Sequence, residues 1–159
     1  MKYVVDTVID RPVNEVISKF DDPENLKEWM DGLLSFEPIS GTPGEIGAKA
    51  KLVFQMGKKK IEMIETITAK NLPDEFGGTY EAEGVFNTVM NRFESVGNDQ
   101  TRMTQQCEFE FTSFMMKVMG FFIPGAFKSQ TRKHMDAFKS FAERDVTGRV
   151  TPEQVTVDE

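Results

Sequence analysis

The sequence has one cysteine, one histidine, one tryptophan and two tyrosines in 159 residues. A lone cysteine, Cys107, excludes an internal disulfide framework and any set of thiolate metal ligands. A lone histidine, His134, removes most zinc sites and would have to serve any Ser-His-Asp triad by itself. Neither a metal nor a cofactor is expected. Positive charge is also in short supply. Lys and Arg number 19 against 26 Asp and Glu, a formal net charge of −7. That balance repels phosphate backbones and anionic lipid, so no nucleic-acid partner is expected. Met1-Lys2 leads directly into Tyr3-Val4-Val5-Asp6, with no small-residue cleavage site of a secretory leader, and a cytoplasmic location is the expectation.

What the chain does have is apolar bulk, with 14 phenylalanines and 10 methionines. Such side chains suit a soft core or the wall of an apolar cavity. Hydrophobic residues at 39% and charged residues at 28% are ordinary for a globular protein, and the length fits one domain.

Punctuation along the chain divides it into elements. Lys2 to Ile9 is β-branched and ends at Asp10-Arg11-Pro12, which predicts a strand. Pro12 then opens a short helix over Val13 to Phe20, and Asp22-Pro23-Glu24 opens a second one reaching about Met30, with Leu26, Trp29 and Met30 on one side. Gly32 ends it. Strands are expected near 33–40, 47–56, 59–70, 75–84, 86–96 and 100–111, with turns at Gly41-Thr42-Pro43-Gly44 and Gly97-Asn98-Asp99. Ala48, Ala50, Leu52, Phe54 and Met56 alternate with polar residues, as do Met103, Gln105, Cys107, Phe109 and Phe111. Antiparallel strands with one wet face give this pattern. The last element is a helix from about Pro124 to Arg144, whose stripe runs through Phe127, Thr131, His134, Phe138 and Phe141, flanked by Met135 and Ala142. Residues 1–145 are expected to form one domain, and 146–159 a flexible tail.

The predicted class is α+β: a curved antiparallel sheet of about six or seven strands around a long C-terminal helix, with two short helices after the first strand. Such a sheet leaves room for a ligand between itself and the helix. The strands offer Phe54, Met56, Met63, Phe93, Met103 and Phe109 to that space, and the last helix offers Phe127, Thr131, Met135 and Phe138. Asn91 and Gln105 are the amides on these inward faces.

Catalytic candidates are sparse. Glu65 shares a strand face with Ile61, Met63 and Ile67, but the opposite face is barely more polar, so its direction stays open. Facing inward, its carboxyl would have a raised pKa. Tyr80 follows Phe76 and Gly78 on one face and could point a phenol into the same space. His134 is either an acid/base facing the cavity or a flanking residue with Met135 inward, and the second reading is preferred. Glu65, Tyr80 and His134 make no recognisable constellation. The segment Phe111–Phe127 holds Phe122 and many other apolar residues. Its length falls short of the ~20 needed for a span, and Lys117, Gly120, Pro124 and Gly125 interrupt it. It is expected to wrap the cavity mouth as a loop and first helical turns. Stable membrane insertion is not expected, and transient contact is left open.

Several of these stretches, taken in order, resemble one family. Val8-Ile9-Asp10-Arg11-Pro12-Val13-Asn14-Glu15-Val16 is similar to the strand-Pro-helix opening of the SRPBCC superfamily, the START-like and polyketide-cyclase-like helix-grip proteins. Asp22-Pro23-Glu24-Asn25-Leu26-Lys27-Glu28-Trp29 resembles its second helix. Gly44-Glu45-Ile46-Gly47, and Gly97 to Thr104, resemble a strand lead and its penultimate hairpin. The resemblance covers about residues 2–144. It implies the helix-grip fold and a cavity for an apolar small molecule or lipid, which would be the partner; the oligomeric state is not implied. Carriers, hormone binders, cyclases, aromatases and dioxygenase subunits all occur in this superfamily. The dioxygenase reading fails, because a mononuclear iron site needs two histidines and a carboxylate. The expected function is binding, transport or sequestration of an apolar ligand, the alternative being a cyclase or aromatase using Glu65, Tyr80 or His134.

Overall fold

A computed structural model describes residues 1–144; the tail expected over 146–159 lies outside the described residues. Strand β1 covers Lys2–Ile9, and helix α1 covers Val13–Phe20. A 3-10 turn at Pro23–Asn25 then leads into a one-turn helix, α2, at Leu26–Trp29. The Asp22 side chain accepts from the Glu24 backbone N–H at 3.0 Å, and Pro23 takes the first helical position, as the Asp-Pro-Glu signal requires. Six strands follow: β2 (Leu33–Ser40), β3 (Lys49–Met56), β4 (Lys59–Asn71), β5 (Glu75–Ala82), β6 (Val85–Val96) and β7 (Gln100–Phe111). Helix α3 spans Phe114–Phe122 and helix α4 spans Pro124–Ala142.

The seven strands form one antiparallel sheet in the order β1-β7-β6-β5-β4-β3-β2. Every neighbour except the β1–β7 pair is joined by a hairpin or short connection, so the chain lays the sheet down in sequence and returns β7 to β1. Pro38 falls in the edge strand β2, where a missing N–H costs no interior ladder bond.

Helix α4 lies toward the β1 edge rather than over the middle of the sheet, packing on β1, α1, α2 and α3. Several of its fastenings are side chain to backbone. Arg132 donates to the Asp6 carbonyl at 2.6 Å, Lys19 donates to the Ala142 carbonyl at 2.8 Å, and the Glu143 carboxylate accepts from the Asp10 N–H at 2.9 Å. The main core gathers at this end: Val5, Ile9, Val16, Trp29, Phe93, Met103, Met135, Phe138 and Ala142 are all buried together. Phe20 knits it, with its ring 4.9 Å from Phe93, 5.5 Å from Phe138 and 6.2 Å from Trp29. A second apolar cluster, Ala50, Leu52 and Phe54, sits on β3. Gly32 takes φ +82° after α2, where a Cβ would stand 2.7 Å from the Gln55 carbonyl oxygen, so only glycine lets the turn approach β3 this closely. With α4 held toward the β1 edge and Phe20 of α1 covering only the Phe76–Phe93 end of the central strands, much of the sheet's inner face is left open.

Candidate functional site

The open part of that face is a cavity of about 1110 Å³. Its floor is the inner face of β3 to β7, and its roof is α2, α4 and the inner side of α3. Of the residues expected to line it, Phe54, Met56, Met63, Glu65, Tyr80, Asn91, Met103, Gln105, Phe109, Phe127, Thr131, His134, Met135 and Phe138 all do so. Two stand elsewhere. Phe93 shares the inner face of β6 but lies farther along it, buried under Phe20 in the main core. Phe122 is 74% exposed on the outer side of α3.

The segment expected to wrap the mouth as a loop and first helical turns is a separate helix over most of its length, because Ser113 caps it. Its hydroxyl accepts from the Met116 N–H at 3.2 Å, and the chain breaks only at Ile123, before Pro124 restarts the helical path. Met116, Met119 and Ile123 reach the cavity from this side, while Met56 reaches it from the β3–β4 hairpin. Met56, Met119 and Ile123 are 46%, 43% and 53% exposed, so they mark an opening to solvent.

Polar groups on the floor are arranged in rungs. Glu65, Tyr80, Asn87 and Phe109 pair in register across β4, β5, β6 and β7. One step further along, Gly78, Val89, Cys107 and Tyr3 form an apolar rung with a phenol at its end. Beyond it come Phe76, Asn91, Gln105 and Val5. The pairing settles the direction of Glu65: it faces inward beside Tyr80. Burial pushes the Glu65 carboxyl above the usual carboxylate range, and the Tyr80 hydroxyl, donating to it, opposes that shift. Tyr80 itself is pushed well above the ordinary phenol value, first by burial and then by the Glu65 charge.

Asn87 was not singled out by the sequence reading, although its two-residue spacing from Val85, Val89 and Asn91 carries the signal. Its Oδ1 is buried without a hydrogen-bond partner, and so is the Oδ1 of Asn91, whose Nδ2 donates to the Phe76 carbonyl at 3.3 Å. On the roof the Trp29 Nε1 is likewise buried and unpartnered. A cavity with two unanswered acceptors on its floor and one unanswered donor on its roof presents sites for a guest's polar atoms.

His134 is committed elsewhere. Its Nε2 lies 3.0 Å from the Gln130 amide Nε2; with the amide donating, the ring proton is on Nδ1. Burial pushes its pKa down, and an interaction with the Asp31 backbone acts in the opposite sense. The imidazole therefore stays neutral, stacked near Phe54 with ring centres 6.3 Å apart, while Met135 takes the fully buried position. Nearby, the Tyr3 hydroxyl pairs with Thr131 Oγ1 at 2.9 Å, and burial raises both the Tyr3 and Cys107 pKa values. Among the described residues no cluster of His, Cys, Asp and Glu could hold a metal ion, and no helix is long and apolar enough to cross a membrane.

A family model described as polyketide cyclase / dehydrase and lipid transport matches residues 1–143. No curated protein matches the sequence. Among solved structures, the ZhuI aromatase/cyclase from Streptomyces sp. R1128 superposes with a TM-score of 0.75 at 10% identity, covering 94% of this chain and 99% of that one. A conserved protein from Geobacillus kaustophilus gives 0.74 at 18% identity over 89% and 95%. A truncated norcoclaurine synthase from Thalictrum flavum gives 0.69 at 14% identity over 89% and 93%. At these identities the likeness shows the helix-grip fold and nothing finer.

Proposed function

The chain belongs to the polyketide cyclase / dehydrase and lipid transport family, and on that premise we propose that it binds an apolar small molecule or lipid in its central cavity and carries or sequesters it. The observation that supports this most is the cavity itself. About 1110 Å³ walled by Phe54, Met63, Met103, Phe109, Phe127 and Phe138 rewards a guest with a long or polycyclic apolar body. The polar end of the guest belongs over the Asn87 and Asn91 oxygens, which need donors, so a hydroxyl or N–H suits that end better than an ether. Sugars, nucleotides and multiply charged acids would lose water over these walls without replacement.

A cyclase or aromatase reading is favoured by one observation, the Glu65–Tyr80 pair. In its ionised form the Glu65 carboxylate, made more basic by burial beside a phenol, could take a proton from an activated carbon, and the carboxylic acid so formed could return it to an oxygen. Against that reading, His134 is bound to Gln130 and forms no relay with the pair.

Mass spectrometry of lipophilic material extracted from the purified protein tests the proposal. A stoichiometric apolar compound that rebinds unchanged supports the carrier. A compound converted by wild type but not by Glu65→Gln, which still binds it, would instead establish an enzyme.

A further inference from the structure

Helix α3 turns an apolar stripe away from the protein. Phe114, Val118, Phe121 and Phe122 fall at helical spacing on one side and are 83%, 38%, 80% and 74% exposed. Met115 and Ile123 extend that surface. The opposite side is already fixed. Met116 points into the cavity, and Gly120 lies so close to the Phe111 ring that a Cβ there would stand 2.5 Å from it. Rolling the helix to bury the stripe would drive a large side chain into Phe111. An exposed apolar surface of this kind marks a contact with something outside the molecule.

The charge around the stripe identifies what it contacts. Lys117, Lys128 and Lys133 are exposed on α3 and α4, and no acidic residue occurs between Phe111 and Met135. Across the opening, Lys58, Lys59 and Lys60 are exposed on the β3–β4 hairpin, beside Met56. None of the six lysines makes an ion pair among the described residues. Acidic groups are fewer: Asp31 lines the cavity, and the exposed Glu83 precedes Gly84, which meets Ser113 and Met116 at the start of α3. In a chain whose net charge is −7, six lysines without ion pairs on the elements that frame the opening, three on α3 and α4 and three on the β3–β4 hairpin, make this end locally positive. A second copy seated on the same face would set lysines against lysines. An anionic bilayer surface answers both features, with the apolar stripe entering the headgroup–acyl boundary and the lysines meeting the phosphates.

We propose that α3 and the β3–β4 hairpin dock the protein on an anionic lipid surface, with the cavity opening held against the membrane. Met119 and Ile123 belong to both the opening and this face, so a guest would pass between lipid and cavity without crossing open water. That route rests on the carrier reading; the docking does not.

Cosedimentation of the ligand-free protein with vesicles tests it. Vesicles of about one-third phosphatidylglycerol in phosphatidylcholine should bind about tenfold more protein than phosphatidylcholine alone, with the difference shrinking as salt rises. The double substitution Phe121→Asp, Phe122→Asp should abolish binding. Changing Lys58, Lys59 and Lys60 to Gln should weaken it, with circular dichroism and Tm unchanged because these side chains are exposed. Should the aspartate variant not fold, Phe121→Trp offers a second readout, in which brominated acyl chains quench its emission. Equal recovery with both vesicles at low salt, absence of quenching, or a dimer in ultracentrifugation that the aspartates dissolve while vesicles go unbound would overturn the proposal. Each of these results leaves binding in the cavity untouched.

Discussion

Tyr80 and Glu65 stand opposite each other across the β4–β5 pairing, phenol beside carboxyl, on the floor of a largely apolar cavity rich in Phe and Met. Each raises or restrains the other's pKa, and burial drives both toward the protonated, neutral form. A neutral pair suits an uncharged guest, and it gives the cavity a pH signature.

Because the folded state holds the Glu65 proton more tightly than the unfolded chain, this group's contribution to stability is complete below the ordinary carboxylate range. It is lost as pH rises through the raised value. Glu65→Gln removes that loss. Its Tm should gain on wild type as pH rises above the ordinary carboxylate range. A Tm difference that does not change with pH would mean the carboxyl is as well solvated as in the unfolded chain.

His134 should behave in the opposite sense. Its lowered pKa means the unfolded chain takes the proton first, so stability is present above the ordinary imidazole value and is lost as pH falls. Being the only histidine, it gives a single Hε1 ring signal in proton NMR. The titration midpoint should fall below the ordinary value, and a midpoint at or above it contradicts the buried, Gln130-bonded placement.

Asn87→Leu separates binding from folding. Removing an orphaned buried acceptor should leave the free protein equally stable, or more stable by up to about 1 kcal/mol, in a denaturant titration. Affinity for a hydroxyl-bearing apolar probe should drop about tenfold, while affinity for its methyl ether hardly changes. Equal losses for both probes would place the polar end of the guest elsewhere.

Trp29 is 8% exposed between Phe20 and Phe138, whose rings lie 6.2 Å and 5.1 Å away. Trp29→Ala should cost about 3–5 kcal/mol of unfolding free energy, since it opens a void in the main core. A loss near zero would mean the short helices do not close the structure.

The strands were legible because β3 and β7 alternate cleanly, and the long helix because Phe127, Thr131, His134, Phe138 and Phe141 keep helical spacing, although the buried positions are Met135, Phe138 and Ala142. Glu65 was not legible: both faces of β4 carry isoleucines and glutamates, and only its pairing with Tyr80 decides the side. Phe93 misled because alternation reports the face of a strand but not the position along it, and Phe20 covers that end. Helix α3 was hidden by Gly120, which reads as a breaker but serves as a seat against Phe111. The Ser113 cap was the available local signal. Which unpartnered atoms share the cavity depends on register across four strands, information that no single segment contains.

Binding of an apolar guest is most directly tested by titrating the folded protein with fatty-acid-like and aromatic probes, following the emission of Trp29, which lines the cavity and is the only tryptophan. A saturable change at micromolar probe, reaching one equivalent per chain and reversed by an unlabelled competitor, is the expected result. A protein that stays folded yet binds none of the probes would show the cavity closed by its own Phe and Met side chains, and would contradict the carrier function.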